Sequence, residues 1–558
     1  MRLVRNLAAA VLFCATVQVT YAAPTIDVLK LTPSNDGVQI TYGPVGQKIG
    51  AIAPKGSKSM AVVDGVEGPK VDQFVSPGGS SPFIFSDDGQ HIAYMARQGQ
   101  ELLIVSDSQE VFRTKMAGGI NPVVYPPTYS PKGTHFFFGT KEGQAESVFL
   151  FDGKPAPLAN GPVYFSADES TYAYPSIAVA DGKQKQILIV NGQSSDAPTL
   201  EKLAVTRDGK VLIGSHDPER GEIEVTYDGK PVGKLSMVGE FILPAAGTGW
   251  ACFGQDLRNS GKWIALVNGQ RIDVDGRVEG IHFNADGTKA AIHCVSAQYD
   301  HTVLVDGKSA GEYAGVDKIA WTGDGSKVVY VASSRNGKQF VIIGDEESDP
   351  LPMLPAHLAV APAGDAVVYA VANPQDQRQQ TIYANHKPAG TVAALMSVTF
   401  AANGKNWFGI TGRNEPVLNG KTLPGVRAEK MAISPDSKHI AVVGTDLKTN
   451  KPIVVVDGKV VPITNTRIDV IFSTDGKHAF WMQPKYGQGG RWEAESLMLD
   501  GVEIKTVQRG GREQMGSDFP SEAANADGTF SVLVNDENTL QRLTIKPDES
   551  TSVDTIGK

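Results

Sequence analysis

Cysteine is nearly missing from this chain, with 3 in 558 residues, far below the share a disulfide-stapled scaffold carries. Glycine and proline number 60 and 33, well short of the roughly 25–30 percent that marks a disordered or low-complexity chain. No basic stripe stands out: 52 Lys and Arg face 61 Asp and Glu, and the net charge of −9 is spread evenly along the sequence. That balance argues against a nucleic-acid partner. Beyond the amino terminus no apolar run approaches the ~20 residues of a membrane span, so the mature chain is expected to be soluble. Helical periodicity of useful length is missing as well. What is present is 41% apolar residues, ample for packed cores, in a length that suggests more than one domain.

The amino terminus reads as an export signal. Arg2 and Arg5 form a positive start, residues 7–19 are an apolar run broken only by Thr16 and Gln18, and Thr20-Tyr21-Ala22 supplies the small residues a signal peptidase reads. Cleavage is expected after Ala22, with Ala23 as the alternative, giving a periplasmic or secreted protein. Losing the two arginines takes the net charge from −9 to −11. Lipidation at Cys14 is disfavoured because bulky Phe13 precedes it. The two later cysteines, Cys252 and Cys294, either pair or stay as buried thiols, and the second reading is preferred.

The body of the chain is one unit repeated about every 40 residues. Its marker is Gly46, Gly89, Gly133, Glu169, Gly209, Gly247, Gly287, Gly325, Gly364, Gly404, Ser437, Gly476 and Gly528, often preceded by Asp. An apolar residue lies four before the marker (Phe85, Phe165, Phe283, Phe400, Phe472), and apolar pairs follow it (Ile92 and Tyr94, Val328 and Tyr330, Val367 and Tyr369). Alternation on both sides of a turn is a β-hairpin. A second turn follows in nine units, always Asp-Gly or Asn-Gly, as in Val454-Val455-Val456-Asp457-Gly458. Those dipeptides suit the tight turns that need positive φ. Two hairpins per unit make a four-stranded antiparallel meander, the blade of a β-propeller.

Ser434-Pro435-Asp436-Ser437-Lys438-His439-Ile440-Ala441 and Phe472-Ser473-Thr474-Asp475-Gly476-Lys477 resemble the WD-repeat-like propeller repeats of TolB-type proteins. The resemblance covers nearly the whole mature chain and implies an all-β fold of tandem propellers. It does not extend to an α/β domain before the blades, so the partners of TolB are not carried over. About 13 units exceed the roughly 4–8 blades of one ring. Two rings are therefore expected, over residues 23–290 and 291–558, with the boundary between 270 and 315. Asp345 to Pro355 is a second candidate seam, leaving an uneven eight and five. Thr25 to Leu31 is expected to close a ring with a later blade.

In a meander the first and third turns share one end, and the second and fourth connections share the other. The first set is short and uniform. The second varies, as Ser215 to Gly221 and Asn373 to Gln379 illustrate, and variable loops on a uniform scaffold carry recognition. The longest insertion follows Gly476 and holds Tyr486, Arg491 and Trp492, with Arg509 and Arg512 in the next connection. Tyr, Trp and Arg anchor protein interfaces; the competing reading is a solvated hairpin whose Trp492 caps a blade edge.

No His-Glu-x-x-His, calcium loop or phosphate-cradling motif occurs. His91, His135, His439 and His478 sit two residues past the marker and read as turn-flanking surface residues; His293 and His301, near Cys294, read as structural. Trp250, Trp321, Trp407 and Trp481 fall on repeat core positions. No catalytic residue, metal or cofactor is assigned. The expected function is a non-catalytic scaffold binding an envelope or extracellular protein. The alternative is a glycan-binding or carbohydrate-active propeller with its site at a channel mouth.

Overall fold

The computed structural model describes residues 24–30, 39–42, 48–76, 81–116, 123–141, 147–180, 183–197, 199–256, 262–508, 522–536 and 539–547. Within them the chain is almost entirely strand, arranged as thirteen antiparallel sheets. Eleven sheets have four strands, and each comes from one sequence unit except the last. The fold is all-β, a multi-blade β-propeller, and the sheets are its blades in chain order.

Two turn types repeat because the sequence supplies residues for positive φ. In all nine Asp-Gly and Asn-Gly turns both residues are left-handed, as at Asp457 (φ 49) and Gly458 (φ 85). Asp107-Ser108 and Asn385-His386 make the same turn without glycine. In the twelve units whose marker is described, that residue is left-handed too, and Glu169 (φ 62) and Ser437 (φ 61) adopt that conformation despite their side chains. Both reach the preceding blade. The buried Glu169 carboxylate accepts from Ser130 Oγ at 2.5 Å and from the Lys132 amide at 2.6 Å. Ser437 Oγ accepts from the Asn403 amide at 3.1 Å.

Departures from four strands are local. In blade 2 the inner strand is split into Gln73–Val75 and Phe83–Phe85, both pairing with Ile92–Gln98. Blade 6 has three strands, and its inner position is filled by an irregular segment bridging Val238 to Gly254 and Ile242 to Ala251. Blade 13 is completed from the other end of the chain. Thr25–Lys30 is its outer strand, paired antiparallel with Thr539–Lys546 from Thr25↔Lys546 to Lys30↔Gln541. Arg542 then contacts Asp64 of blade 1 at 3.5 Å. Burial pushes the Asp64 carboxyl up, and the guanidinium pulls it back down.

The core lies between successive blades. Leu212, Val225, Trp250 and Ile264 pack blade 5 on blade 6, and Val443, Val454, Trp481 and Met498 pack blade 11 on blade 12. Trp250, Trp407 and Trp481 are buried, while Trp321 is half-buried with its indole N–H donating to His282 O at 2.8 Å. Through residues 270–315 the packing runs on without a gap: Val267, Val274, Ile281 and Ile292 share one cluster, and Val303 and Tyr330 share the next.

Candidate functional site

A repeated side-chain clasp fixes which connections share an end. His91 Nδ1 meets Asp107 Oδ2 at 2.7 Å, His135 meets Asp152 at 2.7 Å, His439 meets Asp457 at 2.6 Å and His478 meets Asp500 at 2.8 Å. The second oxygen of each aspartate accepts the next backbone amide, such as Ala479 to Asp500 at 2.8 Å. Each clasp joins the first turn of a blade to its third. These histidines are therefore not surface decoration, and His478 is buried. The opposite end carries the second and fourth connections, from the two-residue turn after Gln98 to the longer segment between Glu347 and His357.

That variable end is where apolar side chains face water. Of the sixteen large hydrophobic residues exposed among the described residues, twelve lie on or beside its connections. Tyr299 (81% exposed), Met396 (70%) and Leu447 (63%) are the clearest. The other four, Val66, Val111, Val460 and Val502, all sit on outermost strands. Scattered exposed hydrophobics are ordinary; their concentration at one end of a repeat scaffold is informative.

The long hairpin projects from this end. Strands Ala479–Tyr486 and Trp492–Leu499 are joined by a turn that needs glycine, with Gly489 at φ 80 and Gly490 at φ 73. Tyr486 pairs opposite Trp492, setting the two aromatics side by side. Asn465 Nδ2 donates to the Tyr486 hydroxyl at 2.9 Å, and Thr464 Oγ donates to Pro484 O at 2.6 Å, bracing the hairpin on the connection before it. The Trp492 indole N–H donates to Ala494 O at 3.0 Å, which fixes the ring while 37% of the residue stays exposed. Arg491 is exposed at the tip. Tyr486, Arg491 and Trp492 thus come together; Arg509 and Arg512 lie outside the described residues. Sequence reasoning missed Met396, Leu447 and Tyr299. Mapping isolated hydrophobics onto the second and fourth connections would have found them.

Blade 7 holds a histidine cluster. His293 Nε2 lies 3.0 Å from His301 Nδ1, with the rings stacked. Burial holds the His293 imidazole below its usual range, and His301 and His282 push it the same way; burial alone lowers His282. A group whose folded value is lowered binds fewer protons folded than unfolded. Stability therefore falls as pH drops below the ordinary 6.5 toward the depressed folded values. The melting temperature is expected to decline between about pH 7 and 5, and His293→Gln should flatten that decline; an unchanged profile in the variant would contradict the assignment. The turn carboxylates act elsewhere. Hydrogen bonds from Ser166 and Ser170 hold Asp168 at about 2, so its contribution is lost only in stronger acid.

Cys252 and Cys294 are unpaired, buried in different core clusters, and burial raises their thiols to about 12 and about 11. Neither is a poised nucleophile. Among the described residues no group of three or more His, Cys, Asp or Glu is placed to hold a metal ion, and no helix is long and apolar enough to cross a membrane.

The repeated four-stranded blades define the class as a β-propeller. No protein family and no curated protein matches the chain. Among solved structures it is similar to a eukaryotic initiation factor, at 17% identity over 66% of this chain and 92% of that one, with a TM-score of 0.29. It is also similar to the β-propeller domain of the Trilobed protease from Pyrococcus furiosus, at 10% identity over 56% and 98%, TM-score 0.23. A third is a dihydro-heme d1 dehydrogenase in complex with DHE, at 16% identity over 58% and 74%, TM-score 0.23.

Proposed function

We propose that this chain is an exported, non-catalytic propeller of the TolB-type, WD-repeat-like kind. It acts as a protein–protein interaction scaffold in the bacterial periplasm or outside the cell. The observation that carries this reading is the concentration of exposed hydrophobic and aromatic side chains on the variable-loop end. An exposed apolar surface costs free energy in water, about 25 cal/mol per Å², and a partner that covers it recovers that cost. Tyr486, Arg491 and Trp492 have the chemistry of interface anchors, and the hairpin holds its aromatics in place before binding, which lowers the ordering cost.

Affinity capture from envelope extract tests the reading. Arg491→Ala combined with Trp492→Ala is expected to abolish capture of a specific protein while leaving the melting curve unchanged, since both side chains lie outside the core clusters. Capture that survives the double substitution would remove the hairpin from the interface. A glycan retained in place of a protein would favour the channel-mouth alternative.

A further inference from the structure

The even charge along the sequence hides a basic sector on this acidic protein. Six exposed cations come from five connections of blades 10–12. Arg413 lies in the turn after Trp407–Thr411, Arg427 begins the strand Val426–Ile433, and Lys448 and Lys451 flank the turn after Ile440–Asp446. Arg467 lies on the segment leading into blade 12, and Arg491 is at the hairpin tip. None of the six forms an ion pair with a described carboxylate. Lysines elsewhere on the same blades do: Lys430 with Asp469 at 2.6 Å, Lys438 with Asp436 at 3.2 Å and Lys485 with Glu503 at 2.6 Å.

Backbone contacts make the sector continuous. The Ala428 amide donates to Asn414 O at 2.6 Å, setting the Arg413 turn beside Arg427. The Leu447 amide donates to Gly425 O at 3.0 Å, and the Ile463 amide to Pro452 O at 3.1 Å. From there Asn465 reaches Tyr486. Four carboxylates share these connections, and Asp469, two residues from Arg467, is paired with Lys430. Asp446 is used by its own turn, accepting the amides of Lys448 at 2.9 Å and Thr449 at 2.6 Å. Glu415 lies 3.5 Å from Thr411 Oγ, and Glu493 stands by the hairpin tip. The cations outnumber them, and exposed Met396, Leu447, Tyr486 and Trp492 lie among them.

We infer that this sector docks an acidic protein segment, one carrying carboxylates around an apolar or aromatic residue. The inference rests on the reading of the variable end as a docking face and names the chemistry of its partner. Opposite charge steers encounter and selects against other partners, while the aromatic and aliphatic side chains bury against an apolar residue. A protein segment supplies that residue, whereas an anionic polysaccharide supplies charge and leaves Met396 and Leu447 uncovered.

The test uses the full chain and fluorescently labelled poly(Glu,Tyr), with poly(Glu) and alginate as comparators. Poly(Glu,Tyr) should bind more tightly than poly(Glu), and binding should weaken with salt. The triple variant Arg413→Glu, Arg427→Glu, Lys451→Glu should weaken it by roughly tenfold or more. The triple Lys154→Glu, Lys230→Glu, Lys387→Glu makes the same charge change on exposed residues at the other end, and should change binding by less than about twofold. Leu447→Ser with Trp492→Ala should erase the advantage of the tyrosine copolymer. Absent binding, equal losses in both triples, or tighter binding of alginate would overturn the inference. The same variants separate it from the reading beneath it. If capture of the cellular partner is lost on Arg491→Ala with Trp492→Ala but survives the basic triple, the acidic partner is wrong and the face stands. Capture that survives every variant of this end overturns the face itself.

Discussion

Glu169→Ala is expected to be among the most destabilising single substitutions in the chain. The side chain is 2% exposed and fills the space between the first turns of blades 3 and 4. Its carboxylate takes hydrogen bonds from Ser130 Oγ at 2.5 Å and from the amides of Lys132 at 2.6 Å and Thr134 at 3.2 Å. Its carbonyl lies 3.1 Å from His135 Nε2, and that ring also clasps Asp152. Alanine would leave the buried Ser130 hydroxyl and two part-buried backbone amides without their acceptor, each costing up to about 1–3 kcal/mol, and would keep a left-handed backbone that disfavours a side chain. A loss on the order of 3 kcal/mol or more follows. Glu169→Gly relieves the backbone but not the donors, so it should be less damaging than alanine. Glu169→Gln keeps one acceptor and should be milder still. Urea unfolding of the three variants checks the order; a glycine variant as stable as the parent would show that the carboxylate is dispensable.

The second large effect concerns the strand Thr25–Lys30. Deleting residues 23–30 removes the outer strand of blade 13 and all six register pairs with Thr539–Lys546. That strand would become an open edge with a row of unpaired backbone groups, a template for aggregation. Arg542, on the stranded segment, would lose its fixed place beside Asp64 of blade 1. The deletion variant is expected to lose protection from hydrogen exchange in blade 13 and then in blade 12, which share a core through Phe480, Phe530 and Leu543. It should also aggregate, and a peptide of residues 23–31 added in trans should restore part of the protection. A deletion variant that stays monomeric with an unchanged melting curve would contradict the closure.

Much of this architecture is legible because left-handed turns demand particular residues. The Asp-Gly and Asn-Gly turns mark the third connection, and the marker glycines the first. Asp107-Ser108 and Asn385-His386 escape that search because they make the same turn without glycine. Glu169 and Ser437 look like lapses in the repeat, yet each uses its side chain to hold the preceding blade. The histidines are read as surface residues because their aspartate partners come 16 to 22 residues later, across two strands. At the variable end, the glycine-rich tip and flanking aromatics make the hairpin visible in sequence. The rest of that face contributes one or two residues per connection. No local pattern joins Arg413, Leu447 and Arg467; only the stacking of blades brings them to one sector.

Site-specific photo-crosslinking in the native envelope tests the central claim most directly. A photoreactive residue placed at Leu447 or Tyr486 reports on the variable end, and one at Val66 or Val502 reports on exposed outer-strand positions. Discrete adducts of one protein at Leu447 and Tyr486, and none at Val66 and Val502, are the predicted result. Adducts confined to Val66 and Val502, or the same yield at all four positions, would contradict an interaction face built on the variable connections.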